Sequence, residues 1–429
     1  VRLVALLLLA ACGQTGTLHL ELVFPAGETR LPAAAATVRI AVDDPALEQI
    51  VPVAADGSFT TSLSFDAHSR GGQVTVEARD AAGAVVARGV SPPLSFDADS
   101  QIVEVLVAPP GRFSAAPFDQ PARADLAVAP LSYGVLLAGG RDADGGRSDA
   151  VAIYSVYRQT LTAGAPLPGA RAAAAAAATF LDIVYLYGGL GTGDAPTSDL
   201  WRFDTTVAPA GSYATIAVAG APPRAGAAVA PLGGDRFLLT GAPPLLLDAG
   251  AGTVRPFANA PDAAGQATAA ATTAASGVAI VVLAGAGGVL RYDAGADAFS
   301  VVDAAPRTGA AAATLPSGDV LVAADGDSLL VPPTGAARPG PAIPGPRRAA
   351  AAAVAGTTLV LAGGFDAAGT ARADAVRVDT TTLAVDTVPL LLARGGASAV
   401  ALPNRTVLVV GGRAHDGGAP VAGAEIYTP

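Results

Sequence analysis

An apolar, strand-like run that closes on Gly-Gly, or on a worn form of it, recurs seven times between residues 134 and 412. The runs are GVLLAGG ending at Gly140, IVYLYGG at Gly189, RFLLTG at Gly241, AIVVLAG at Gly285, DVLVAAD at Asp325, TLVLAGG at Gly364 and TVLVVGG at Gly412. Successive ends are separated by 49, 52, 44, 40, 39 and 48 residues. Such a period marks a repeat architecture in which each unit buries its apolar face against the next. The 51 Gly and 34 Pro break the chain too often for a coiled coil or long bundle. At 51 % hydrophobic and 14 % charged, it is also too apolar to remain disordered.

Each run leads through a loop into a second strand: AVAIY to Tyr154, DLWRFD to Asp204, PLLLD to Asp248, VLRYD to Asp293, SLLV to Val331, AVRVD to Asp379 and AEIY to Tyr427. A third element then reaches a Pro/Arg boundary, as in PLPGAR at Arg171, GAPPR at Arg224, DAAPR at Arg307 and PGPRR at Arg348, and small residues follow. This pattern resembles the kelch repeat, and the likeness covers about three quarters of the chain. It implies one four-stranded blade per repeat and a seven-bladed β-propeller over 111–429. The last repeat stops at Pro429 without a fourth strand, so Gly111 to Phe118 is expected to supply it and close the ring.

The small-residue runs test this expectation. Ala172 to Ala178 and Ala349 to Ala353 are helix formers by intrinsic propensity. In a propeller they are innermost strands, where bulky side chains would collide at the axis. The equivalent runs RAGAAVA, TGAAAAT and RGGASAV carry Gly or β-branched residues that suit a helix poorly, and recurrence in register outweighs propensity.

Residues 17–109 read differently. Short alternating runs at Leu18 to Phe24, Thr37 to Val42, Phe59 to Phe65, Gln73 to Ala78, Val85 to Val90 and Ile102 to Val107 are separated by turns such as Ala55-Asp56-Gly57. The pattern predicts a small antiparallel β-sandwich and resembles immunoglobulin-like or carboxypeptidase-regulatory-like modules. Its 5 Arg against 12 acidic residues argue against docking on anionic lipid and suit a spacer. The fold class is therefore all-β.

The N-terminus reads as an address. VRLVALLLLAAC has one basic residue, an apolar run from Leu3 to Ala11 and then Cys12, the only cysteine. The run suits a secretory signal peptide over 1–11. Leu9-Ala10-Ala11-Cys12 resembles the bacterial lipobox, which implies lipidation of Cys12 and a short tether over 12–16. Membrane attachment would then come from acyl chains. Gly13, where inner-membrane lipoproteins of many Gram-negative bacteria carry Asp, directs the expectation to the outer membrane. The uncharged stretch between Asp262 and Arg291 is strongly apolar only at Val278 to Ala284 and is read as one buried strand.

Chemistry is sparse. A formal charge of −10 makes nucleic acid a poor partner. No GxSxG elbow, Walker loop, CxxC or HExxH occurs, and His415 is the only histidine beyond the spacer, so no metal or cofactor is expected. Asp142-Ala143-Asp144-Gly145 reads as a solvated turn in preference to a Ca²⁺ loop. The better-founded set is Arg123, Arg171, Arg224, Arg307, Arg347 and Arg394, which recur where one repeat hands over to the next. On one face of a propeller they are candidates to ring the channel mouth and grip carboxylates or phosphates; paired with loop Asp residues they are structural. The expected function is a non-catalytic platform for an envelope protein or glycan, using this face and the loops 141–149, 190–199, 365–374 and 413–423. The alternative is a hydrolase, lyase or epimerase acting on an acidic sugar. Channel carboxylates with raised pKa would favour the enzyme, and Arg residues satisfied by Asp would favour the platform.

Overall fold

A computed structural model describes residues 3–6, 17–43, 46–59, 72–95, 100–208, 210–218, 220–257, 260 and 266–429. Seven four-stranded antiparallel sheets form a β-propeller, preceded by a two-sheet sandwich. The blades span 127–163, 175–216, 229–256, 266–303, 311–339, 351–389 and, for the seventh, 398–428 together with Arg112–Ala115. Both alanine runs are strands, Ala175–Ala178 and Ala351–Ala355. The uncharged stretch yields the strand Ala279–Gly285, and no described helix is long and apolar enough to cross a membrane.

Strand position explains the sequence pattern. The second strand of a blade is packed on both faces, so Gly134–Ala138 and Val320–Ala324 are buried at every residue and read as continuous apolar runs. The innermost strands alternate instead. Ala175 and Ala177 are buried against the neighbouring blade, whereas Ala176 and Ala178 are only half-buried. Successive blades interleave through such residues: Ala129, Leu136 and Ala138 of blade 1 meet Val184, Leu186 and Trp201 of blade 2.

Ring closure follows the sequence expectation. Arg112–Ala115 pairs antiparallel with Ala424–Thr428, Thr428 opposite Arg112. Bonds from Gly111 N to Thr428 O (2.7 Å) and from Ala116 N to Ala424 O (2.9 Å) extend the pairing. Val410 and Ile426 of blade 7 then pack with Val135 and Tyr154 of blade 1.

In the sandwich, Leu3–Leu6, Thr17–Val23 and Ser100–Leu106 form one sheet, and Leu47–Pro52, Thr37–Val42, Val74–Arg79 and Val85–Val90 the other. Leu20, Leu22, Ile40, Val76 and Val105 fill the space between them. Two details of this domain depart from the sequence reading. Thr17–Val23 and Ser100–Leu106 pair in parallel, which is possible because the rest of the domain intervenes between them as a long crossover. Leu47–Pro52, flanked by Pro and acidic residues, is an unanticipated edge strand. Of the expected run Phe59 to Phe65, only Phe59 lies within the described residues. Leu3–Leu6, inside the expected leader, lies antiparallel at the sheet edge, and Cys12 is outside the described residues.

The sandwich rests on the propeller face that carries the turns between first and second strands. Gln73 Nε2 donates to Pro403 O (3.2 Å), Arg405 Nη2 to Asp43 Oδ2 (3.4 Å) and Tyr157 Oη to Pro93 O (2.8 Å). Leu106 and Val23 continue the sandwich core into the contact between blades 7 and 1.

Candidate functional site

The opposite face is built around the repeat boundaries. Two residues after each boundary arginine the chain turns left-handed: φ is 53° at Asp125 and Ala173, 69° at Gly226 and Gly309, 52° at Ala349 and 63° at Gly396. These turns bond to one another from blade to blade. Ala173 N donates to Asp125 O, Gly226 N to Ala173 O and Ala349 N to Gly309 O, each at 2.8 Å, and Gly396 N to Ala349 O at 3.0 Å. Together they form a rim around a hollow of about 410 Å³. It runs on into a channel of about 630 Å³ lined by small side chains such as Ala312, Ala352, Ser398 and Ala399. A left-handed alanine costs about 1–2 kcal/mol, so Ala173 and Ala349 persist because the rim bonds fix them.

The six boundary arginines occupy equivalent places but turn into their blades and do not converge on the channel. Arg394 is fully buried: Nη1 donates to Gly411 O (3.0 Å) and Gly423 O (3.3 Å), and Nη2 to Glu425 Oε1 (2.9 Å). Arg347, 3 % exposed, donates to Gly363 O (2.9 Å), Asp374 O (3.1 Å) and Asp374 Oδ2 (2.9 Å). Arg123 reaches Gly139 O and Ala150 O. Arg171 pairs with Asp199 and lies 4.8 Å from the centroid of the Trp201 ring. Where Gly-Gly is worn the partners change: Arg224 donates to Pro243 O (2.7 Å), and Arg307 holds Asp303 and Asp327.

This geometry accounts for the Gly-Gly. In blades 1, 6 and 7 the guanidinium ties the carbonyl of the first glycine to the start of the third strand. The second glycine's N–H meets the carbonyl of the next boundary arginine, as from Gly140 to Arg171 (2.8 Å) and from Gly364 to Arg394 (2.9 Å). At Gly363, φ is 60° and a Cβ would stand 1.9 Å from Arg394 O, leaving no room for another residue. The arginines expected to ring the mouth and grip a ligand instead act as internal clamps, since their terminal nitrogens bond carbonyls and carboxylates of the blades themselves.

A different charged cluster stands at the mouth. Arg413 and Arg141 directly follow the Gly-Gly of the last and first repeats, which closure makes neighbours. Arg413 Nη2 donates to Asp125 Oδ2 at 2.6 Å, and Arg141 Nε lies 3.5 Å from the same oxygen. Arg141 Nη2 (2.6 Å) and Arg147 Nη1 (2.7 Å) both donate to Asp194 Oδ1. The chain of contacts thus crosses blades 7, 1 and 2 with three guanidiniums against two carboxylates. The hydrogen bond from Arg141, then that from Arg147, hold Asp194 below the usual carboxylate range against slight desolvation. Further round, Arg348 approaches Asp416 at 3.7 Å, and Thr370 bridges His415, tying the loops of blades 6 and 7. Sequence reading passed over Arg141 and Arg413; the signal was an arginine in place of Leu190 or Phe365 after Gly-Gly in the two repeats that meet at closure.

The remaining sequence candidates are local. Asp142 Oδ1 accepts from the N–H of Asp144 (3.1 Å) and Gly146 (2.8 Å), so its carboxylate serves its own turn. His415 Nδ1 sits 3.0 Å from Asp416 O. Among the described residues, no group of three or more His, Cys, Asp or Glu is placed to hold a metal ion.

No protein family profile matches the chain, and no curated protein does. Among solved structures it is similar to one titled "Structure of YjhT", with 14 % identity and a TM-score of 0.47 over 72 % of this chain and 96 % of that one.

Proposed function

We propose that this protein is a lipid-anchored component of the bacterial cell envelope whose kelch-type propeller is a non-catalytic platform for a protein or glycan, held at the mouth formed by blades 7, 1 and 2. The observation that carries the reading is the Arg413–Asp125–Arg141–Asp194–Arg147 network. It is partly exposed, it carries one excess positive charge, and through Asp125 it borders the hollow that leads into a channel lined by small neutral side chains. Such a mouth fits the acidic groups of a partner that lies across it, since guanidiniums bind carboxylates in forked pairs. Anchorage at Cys12, and with it the outer membrane as destination, rests on the sequence alone.

The rival reading, turnover of an acidic sugar, needs a carboxylate poised near neutral pH to move a proton. The shifted carboxylates on this face among the described residues, Asp194, Asp303 and Asp374, move down, which supports binding over proton transfer. The test is affinity capture from native envelope extract by the chain and by an Arg141→Ala/Arg413→Ala variant, followed by reconstitution with the purified partner. Binding by the native chain and loss in the folded variant is expected. Equal binding by both, or turnover of an acidic glycan, would overturn the reading. For the anchor, Cys12→Ser is expected to move the protein from the membrane to the soluble fraction; retention would contradict lipidation.

A further inference from the structure

We propose a second binding site, for a small carboxylate anion, in the seam between sandwich and propeller, on the face away from the channel mouth and independent of it. A cavity of about 240 Å³ lies between the strand Val85–Val90 of the sandwich and the turns of blades 6 and 7. Its walls include Arg88, Thr357, Asn404, Arg405, Thr406 and Thr428. That space corresponds to about eight water volumes, the size of a short dicarboxylic acid.

The lining offers buried donors without partners. Asn404 is 1 % exposed and its Nδ2 has no hydrogen-bond partner, whereas its Oδ1 already accepts from Thr406 Oγ1 (2.8 Å). A buried amide donor is costly to leave unpaired, so the position is built for an acceptor. Arg88 Nε is likewise buried without a hydrogen bond, the nearest carboxylate oxygen, from Glu77, standing 3.8 Å away. Arg405 is half-exposed and, among the described residues, its guanidinium reaches Asp43, at 3.4 Å. Two wall carbonyls are occupied. Thr357 O accepts from Thr380 N (2.8 Å) and Oγ1 (3.0 Å), and Thr428 O from Gly111 N (2.7 Å). Two guanidiniums and an orphan amide facing one small cavity call for a ligand that only accepts and carries negative charge. Because the walls come from both domains, an occupant also braces the sandwich against the propeller.

Calorimetric titration of the full chain with succinate, and with succinamide as its neutral counterpart at equal ionic strength, tests this. Saturable one-to-one binding of succinate and none of succinamide is expected. Asn404→Asp keeps the oxygen that receives Thr406 but replaces the orphan donor, and is expected to weaken succinate binding at least tenfold with little change in melting temperature. Arg405→Gln, at an exposed position that folding tolerates, is expected to weaken it as well and decides the matter if Asn404→Asp fails to fold. No saturable heat, equal binding of succinate and succinamide, or undiminished affinity in the folded variants would overturn the proposal.

Discussion

Arg394 and Glu425 form the most deeply buried ion pair among the described residues, 0 % and 1 % exposed. Glu425 also receives the backbone N–H of Leu391 (2.7 Å) and Leu392 (3.1 Å), so its carboxylate is satisfied from three sides. Removing one member of such a pair strands the other, and Arg394→Ala is expected to cost about 3–5 kcal/mol in denaturant unfolding. Arg394→Lys should recover little of it, because one ammonium cannot bond two carbonyls and a carboxylate in the fork's geometry. Asp374 gives a pH-dependent counterpart. Burial alone would raise its pKa, but hydrogen bonds and charge from Arg372 and Arg347 bring it below 3.8. A depressed folded-state pKa means stabilisation that is complete above the unfolded value and is lost as pH falls through the folded one. Asp374→Asn should therefore cost about 2 kcal/mol at pH 7, and the gap to the native chain should narrow below pH 4.

At the scale of elements, the blade pattern was legible because each constraint repeats. Two-sided burial writes the second strand as a solid apolar run, and the guanidinium clamp writes Gly-Gly and the boundary arginine into the first, sixth and seventh repeats. What could not be read was the direction of those arginines: a recurring guanidinium looks the same in sequence whether it faces a ligand or its own blade. Inner strands give a sharper test. Ala353 is buried in the core between blades 6 and 7, whereas Ala352, on the other face of the strand, is only half-buried against the core between blades 5 and 6. Ala353→Leu should destabilise by about 1–3 kcal/mol through overpacking, and Ala352→Leu by less, because its half-buried site leaves the larger side chain room to turn outward. Equal effects would mean that the strand faces are misassigned. The sandwich was less legible, since a parallel first-to-last pairing leaves no turn signature and the edge strand Leu47–Pro52 lacks clean alternation.

For the molecule as a whole, closure makes residues 111–118 part of the last blade although they precede the first, and this explains why Arg413 and Arg141 share one mouth. A permuted propeller beginning at residue 119, with 111–118 joined after 429, should fold with native stability, and deletion of 111–118 should expose the edge of Ala424–Thr428 and promote aggregation. Under the proposed function the arginines divide their labour, those at the boundaries holding blades together and those at the mouth meeting a partner. The most direct measurement is equilibrium binding of the reconstituted envelope partner to the native chain, to Arg141→Ala/Arg413→Ala and to Arg123→Ala. The account predicts loss of binding with stability retained in the mouth variant, and loss of stability with binding retained by the folded fraction in the clamp variant. The reverse assignment, with binding untouched at the mouth and abolished in folded Arg123→Ala, would contradict it.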